Sequence, residues 1–129
     1  MKKYLILLFA LATFTACQES IEEKAARDAR NITQKKCPMP LGDDGNIILE
    51  RVDFDIPTRT WIEELLLDFP EDGELNEEEI RNALIYELKN TPSYKPYIDN
   101  GFNFQYLYCR MSNPKDTLIN MTLTTKDYR

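Results

Sequence analysis

Histidine is absent from these 129 residues. That removes Ser-His and Cys-His activation of a nucleophile, histidine ligation of zinc, and the usual base at neutral pH. Positive charge is scarce as well, with 16 lysines and arginines against 22 acids and a net charge of −6. Such a surface repels phosphate backbones, which argues against a nucleic-acid partner. It repels anionic lipid headgroups too, so no basic patch would hold the chain to a membrane. The N-terminal apolar run, Tyr4 to Phe14, is shorter than the about 20 residues a spanning helix requires. Cysteine occurs three times, at Cys17, Cys37 and Cys109. Two or three cysteines without histidine make a poor metal set.

What is present begins at the N-terminus. Lys2 and Lys3 precede the apolar run, and Thr15 and Ala16 precede Cys17. A basic region, an apolar stretch and small residues before a cut site form a secretion signal. A cysteine directly after the small residues resembles a bacterial lipobox, with Phe14 where leucine is commoner. The reading assigns 1–16 to a lipoprotein signal peptide, 17–20 to a lipidated N-terminus and short tether, and 21–129 to a single domain. Acylation at the sulfur of Cys17 would supply the membrane attachment, at about 0.8 kcal/mol per buried methylene. The mature chain would keep 14 basic and all 22 acidic residues, a balance of −8.

With Cys17 acylated, Cys37 and Cys109 remain. In an oxidising compartment they are candidates for a disulfide. Such a bridge would close a loop of about 73 residues, worth about 4 kcal/mol of chain entropy. Two separate thiols packed as small hydrophobes are the alternative.

Ser20 with Glu23 fits a helix cap, and Ile21, Ala25, Ala29 and Ile32 recur at helical spacing, so a first helix is expected over about 21–35. Pro38 and Pro40 then exclude helix. Gly42 to Asn46 is a turn. Ile47 to Phe54 is a strand, with Ile48, Val52 and Phe54 on one face and Ile47 and Leu49 on the other. Asn76 and Glu79 open a second helix over about 77–90, whose inner face is Ile80, Leu84, Ile85 and Leu88. Phe102 to Met111 alternates as a strand, Asn113 to Asp116 reads as its hairpin turn, and Leu118 to Thr125 as the closing strand. Arg59 to Phe69 fits two patterns. As a helix it puts Trp61, Ile62, Leu65, Leu66 and Phe69 on one side. As a strand it aligns Trp61, Leu65, Leu67 and Phe69 on a face interrupted by Glu63.

Several of these stretches together resemble small lipoproteins of Bacteroidetes-type bacteria. They are Ala26-Arg27 through Cys37-Pro38-Met39-Pro40, Leu88 through Lys95-Pro96-Tyr97, and the closing Leu123-Thr124-Thr125-Lys126-Asp127-Tyr128. The resemblance implies that Arg59–Phe69 is a strand, although Glu63-Glu64-Leu65-Leu66-Leu67 departs from the alternating aromatics of such proteins. It brings no activity or cofactor with it. The resulting expectation is an α+β domain, with two helices packed on a mainly antiparallel four-stranded sheet in the order αββαββ. Its place is the cell envelope, at the outer membrane, because Gln18 is not an aspartate retention signal. Asp116-Thr117-Leu118 is similar to the O-glycosylation site of Bacteroidetes secreted proteins, which makes Thr117 a candidate acceptor.

The residues suggest a non-enzymatic binding or interaction module with an unknown protein or glycan partner. Its candidate face is the row Phe102, Phe104, Tyr106 and Tyr108, with Tyr94 and Tyr97 nearby, since aromatic faces serve binding as well as core. The alternative is calcium binding by the acidic loop 68–79. Asp68, Asp72 and Glu79 fall at loop positions that need oxygen ligands, and Gly73 falls at the sharp turn of an EF-hand. Pro70 occupies a ligand position without a side-chain oxygen. Asp43 and Asp44, and the paired acids Glu22/Glu23 and Glu77/Glu78/Glu79, are read as turn and first-turn residues. An enzyme working through carboxylates ranks behind both readings, and no cofactor is expected apart from that alternative calcium.

Overall fold

The computed structural model describes residues 19–129. The signal segment and Cys17 therefore lie outside the described residues. Helix α1 spans Ile21–Lys35, and Ser20 Oγ accepts from the Glu23 amide at 3.1 Å. Its buried residues are Ala25, Ala26 and Ala29. Such small side chains let the helix axis close on a sheet. Strands β1 (Met39–Leu41), β2 (Ile47–Asp55) and β3 (Thr60–Leu67) follow, then helix α2 (Glu77–Asn90). A 3-10 turn at Pro92–Tyr94 leads into the short helix α3, Lys95–Asp99. Strands β4 (Asn103–Arg110) and β5 (Asn113–Leu123) and a last turn of helix, α4 (Thr125–Tyr128), complete the chain.

The class is α+β, as expected, but the details differ. The sheet has five strands in the order β1-β2-β3-β4-β5, and it is mixed. β3 and β4 pair in parallel, from Thr60↔Asn103 to Leu67↔Arg110. The chain leaves β3 at one end of the sheet and returns through α2 and α3 to the other, the crossover that parallel pairing requires. The other three neighbouring pairs are antiparallel. β1 escaped notice because three residues are too few for alternation to register. Pro40 sits opposite Ile48 on this edge strand, where a missing amide is tolerated. There are four α-helices among the described residues, not two.

The segment 59–69 is a strand at its centre. Its neighbours β2 and β4 pair with it on both sides, and that context overrides the helical spacing of its leucines. In β2 the expected faces are partly reversed. The register shifts between Leu49 and Arg51, so Leu49, Val52 and Phe54 are the buried residues and Ile48 turns away. An extra residue in one strand inverts the alternation beyond it. The β4–β5 turn falls at Met111 and Ser112, and Arg110 already pairs with Asn113. Thr124 and Asp127 cap α4 reciprocally, a pattern the reading of 118–125 as strand concealed.

Gly101 has φ +72° after α3. The Phe102 amide donates to Tyr97 O at 3.1 Å and the Gly101 amide to Ile98 O at 3.0 Å, the left-handed cap that ends a helix. Arg59, in the β2–β3 turn, has φ +53° without being glycine. Its guanidinium is held by Glu22 at 3.1 Å, donates to Asn100 O at 2.7 Å, and lies 5.0 Å from the Phe102 ring centroid.

The core lies between the helices and one face of the sheet. Leu49, Val52, Phe54, Trp61, Leu65, Phe104, Tyr106, Ile119, Met121 and Leu123 supply the sheet side. Ala25, Ala29, Leu84, Leu88 and Tyr97 supply the helical side. Burying each of the larger side chains contributes about 1.5–3 kcal/mol.

Candidate functional site

α1 rests mainly on β2, whereas α2 packs toward β5 and α4. A strip of the sheet above β3 is thus left between the two helices. Tyr94, from the turn that begins at Pro92, reaches into this strip. A cavity opens on each side of Tyr94. The one under α2 has a volume of about 490 Å3 and is walled by Leu65, Leu84, Leu88, Tyr106 and Tyr108. The one beside α1 has a volume of about 320 Å3, with Trp61, Tyr94 and Tyr97 facing Asp28, Lys35 and Lys36.

Glu63 lies on the wall of the larger cavity. Strand alternation turns it inward with Trp61 and Leu65, and it is only 9 % exposed. Tyr94 Oη donates to its Oε2 at 3.2 Å. Burial pushes the Glu63 carboxyl up to about 7, and the negative charge of Glu87 on α2 adds to the rise. The Tyr94 bond opposes that rise without cancelling it. The Trp61 indole exerts a weaker pull on the same carboxyl, but its buried Nε1 meets no partner at hydrogen-bonding geometry. No lysine or arginine pairs with Glu63 or Glu87 among the described residues.

The phenols around Glu63 respond in the same sense. Burial, and then the nearby Glu63 charge, push Tyr94 and Tyr106 far up and Tyr108 to about 12. These side chains therefore stay neutral donors. Burial also raises the Cys37 thiol, with Glu63 and Glu50 contributing, so it is not an activated nucleophile. On the smaller cavity, Tyr97 Oη donates to Asp28 at 2.6 Å and Lys24 pairs with the same carboxylate at 2.9 Å.

The aromatic row divides. Phe102 and Phe104 have no exposed surface and belong to the core, which corrects the expectation of a four-residue binding face. The cause is that the helices and the 92–97 segment lie on that side of the sheet. Phe104 meets Tyr94 and Tyr128 edge-on, and Phe102 stacks on Tyr97. Only Tyr106 and Tyr108 reach the cavity.

Cys37 and Cys109 are both free thiols, the second of the two alternatives open for this pair. Cys37 packs against the helical core near β1. Cys109 sits on β4, on the other side of the sheet, beside Thr117. β1 and β4 are three strand spacings apart, about 14 Å, and a bridge needs Cα atoms within about 7 Å. Thr117 is exposed on β5, beyond Asp116, which Arg110 holds at 2.9 Å. Asp68, Asp72 and Glu79 are exposed, and the segment entering their loop is β3 instead of an EF-hand helix. Asn76 Oδ1 accepts from the Glu79 amide at 3.2 Å, an ordinary helix cap. Among the described residues no three acids or cysteines converge on a point that could hold a metal ion.

The reading of the sequence held no sign of Glu87, placed Tyr94 only near the aromatic row, and marked Glu63 only as a break in a strand face. Its one signal was the acid that interrupts the inward face of β3. An acid at an inward position must be satisfied or functional.

An α+β fold of this kind occurs among proteins of known structure. The pilotin EpsS of the Vibrio vulnificus type 2 secretion system superimposes with a TM-score of 0.65 at 11 % identity, covering 84 % of this chain and 91 % of that one. A Pseudomonas aeruginosa protein described as secreted gives 0.65 at 11 % identity, covering 87 % of this chain and 100 % of that one. The type II secretion system pilotin AspS of Vibrio cholerae gives 0.61 at 12 % identity, covering 82 % and 90 %. At such identities the likeness is one of fold. A comparison with curated protein sequences finds no match. The chain itself belongs to the family described as a domain of unknown function, DUF8479, whose model matches residues 20–119.

Proposed function

We propose that this protein is a lipid-anchored, non-enzymatic interaction module of the cell envelope, which holds a segment of a protein partner in the cavity under α2. The observation that carries this is the cavity itself. About 490 Å3 of space lies beneath a helix, walled by leucines and tyrosines. Concave, largely apolar sites with a few polar groups are where ligands bind. The fold likeness to two secretion-system pilotins supports a partner within envelope machinery. The lipobox supports acylation at Cys17, with 1–16 removed, a short tether, and the outer membrane as destination. A small lipoprotein of Bacteroidetes-type bacteria fits these features.

Photo-crosslinking in the native host tests the reading. A benzophenone amino acid at Tyr108 should yield one discrete adduct with an envelope protein, and the same group at Leu107, on the opposite face, should not. Leu84→Phe, which fills the cavity, should abolish the adduct. Equal labelling from both positions would overturn the cavity as the docking site. Separately, Cys17→Ser should end palmitate incorporation and release the protein from the membrane fraction.

A further inference from the structure

We infer that the cavity under α2 receives an alkylammonium group, the side chain of a lysine carried by the protein partner; this rests on the reading that a partner segment enters there. Two acids from different elements, Glu63 of β3 and Glu87 of α2, face the same cavity. Neither has a basic partner among the described residues. Glu63 commits Oε2 to the Tyr94 hydroxyl, and its Oε1 has no hydrogen-bond partner among the described residues. A buried carboxylate without a cation is costly. A guest cation would relieve that cost, and an anionic guest would increase it.

The walls agree with the charge. Tyr94, Tyr106 and Tyr108 present aromatic surface, which attracts an ammonium. Leu65, Leu84 and Leu88 suit the four-carbon stem that lysine buries behind its charge. Arginine fits less well. Its guanidinium prefers both oxygens of one carboxylate, and Tyr94 already occupies Oε2. The acidic chain would also draw a basic segment toward the site before contact.

The ionisable groups around the site are Glu63, Glu87, the phenols of Tyr94, Tyr106 and Tyr108, and the Cys37 thiol. The phenols and the thiol stay neutral at pH 8, where Glu63 is ionised, so binding should be stronger at pH 8 than at pH 5.5. Entry of the ammonium near pH 7 should expel a proton from Glu63.

The experiment titrates the purified acylated protein, in detergent, with n-hexylamine, n-hexanol and hexanoate. The readout is the fluorescence of Trp61, the sole tryptophan, which meets the Tyr94 ring edge-on at 6.2 Å. Hexylammonium should give a saturable change at pH 8 and bind at least fivefold more tightly than hexanol, and hexanoate should give none. Glu63→Gln should weaken hexylammonium at least tenfold. Glu64→Gln, on the other face of the same strand, should not. Near-UV circular dichroism checks that the variants fold, and Glu87→Gln serves as a second test of the acid pair. Equal binding of hexylamine and hexanol, or full affinity in Glu63→Gln, overturns the inference. If Leu84→Phe then still abolishes the Tyr108 adduct while Glu63→Gln preserves it, the cavity is a docking site for apolar groups and only the cation assignment falls.

Discussion

Tyr94 Oη lies 3.2 Å from Glu63 Oε2, and this contact joins the turn after α2 to the middle of the central strand β3. It holds a buried acid on the wall of the larger cavity, and it makes the stability of the fold depend on pH.

The direction of that dependence follows from proton binding. Glu63 has an ordinary value of 4.5 and is raised to about 7 in the fold. Between those values the folded state binds the proton that the unfolded chain has lost. The Glu63 contribution is therefore favourable below pH 4.5, declines as pH rises through 7, and leaves a deficit on the order of 3 kcal/mol above it. Glu63→Gln should be more stable than the native protein at pH 8 and nearly equal to it at pH 4.5. Urea unfolding of both proteins across that range measures the difference, and a constant offset at all pH values would contradict the account.

The C-terminus is fastened through one buried bond. Tyr128 Oη donates to Phe102 O at 2.7 Å, and Tyr128 is 3 % exposed. Tyr128→Phe keeps the ring but strands the carbonyl, so a loss of about 1–2 kcal/mol is expected in chemical denaturation. An unchanged unfolding midpoint would show that the carbonyl finds another donor.

Thr33 of α1 covers the part of the β2 edge that the short β1 leaves open. Its hydroxyl accepts from the Val52 amide at 2.9 Å and donates to the Val52 carbonyl at 2.6 Å. Thr33→Val has nearly the same shape and removes both bonds. About 1–3 kcal/mol should be lost, with faster hydrogen exchange at the Val52 amide than in the native protein. Protection that survives the substitution would refute the edge-closing role.

Calcium up to 1 mM should leave the melting temperature unchanged, because β3 takes the place of the helix that an EF-hand needs before its loop. A rise of several degrees that Glu79→Gln removes would restore the loop 68–79 as a site.

Local patterns in the chain were enough for α1 and α2, down to their caps at Ser20 and Asn76, because the signals for a helix lie within a few residues of one another. The alternation of β4 was legible for the same reason, and so was the α+β class. Nonlocal features were not. The parallel pairing of β3 with β4 depends on which end of the sheet the chain re-enters after α2 and α3. The reversal of faces in β2 depends on one bulge set by its partner strand. The sequence marked Glu63 only as an irregularity in a row of apolar residues. Its burial against Tyr94, with Glu87 across a cavity, exists because α1 and α2 pack on different parts of the sheet. Spacing along a chain determines which side chains share a face, and only the packing of elements decides what that face meets.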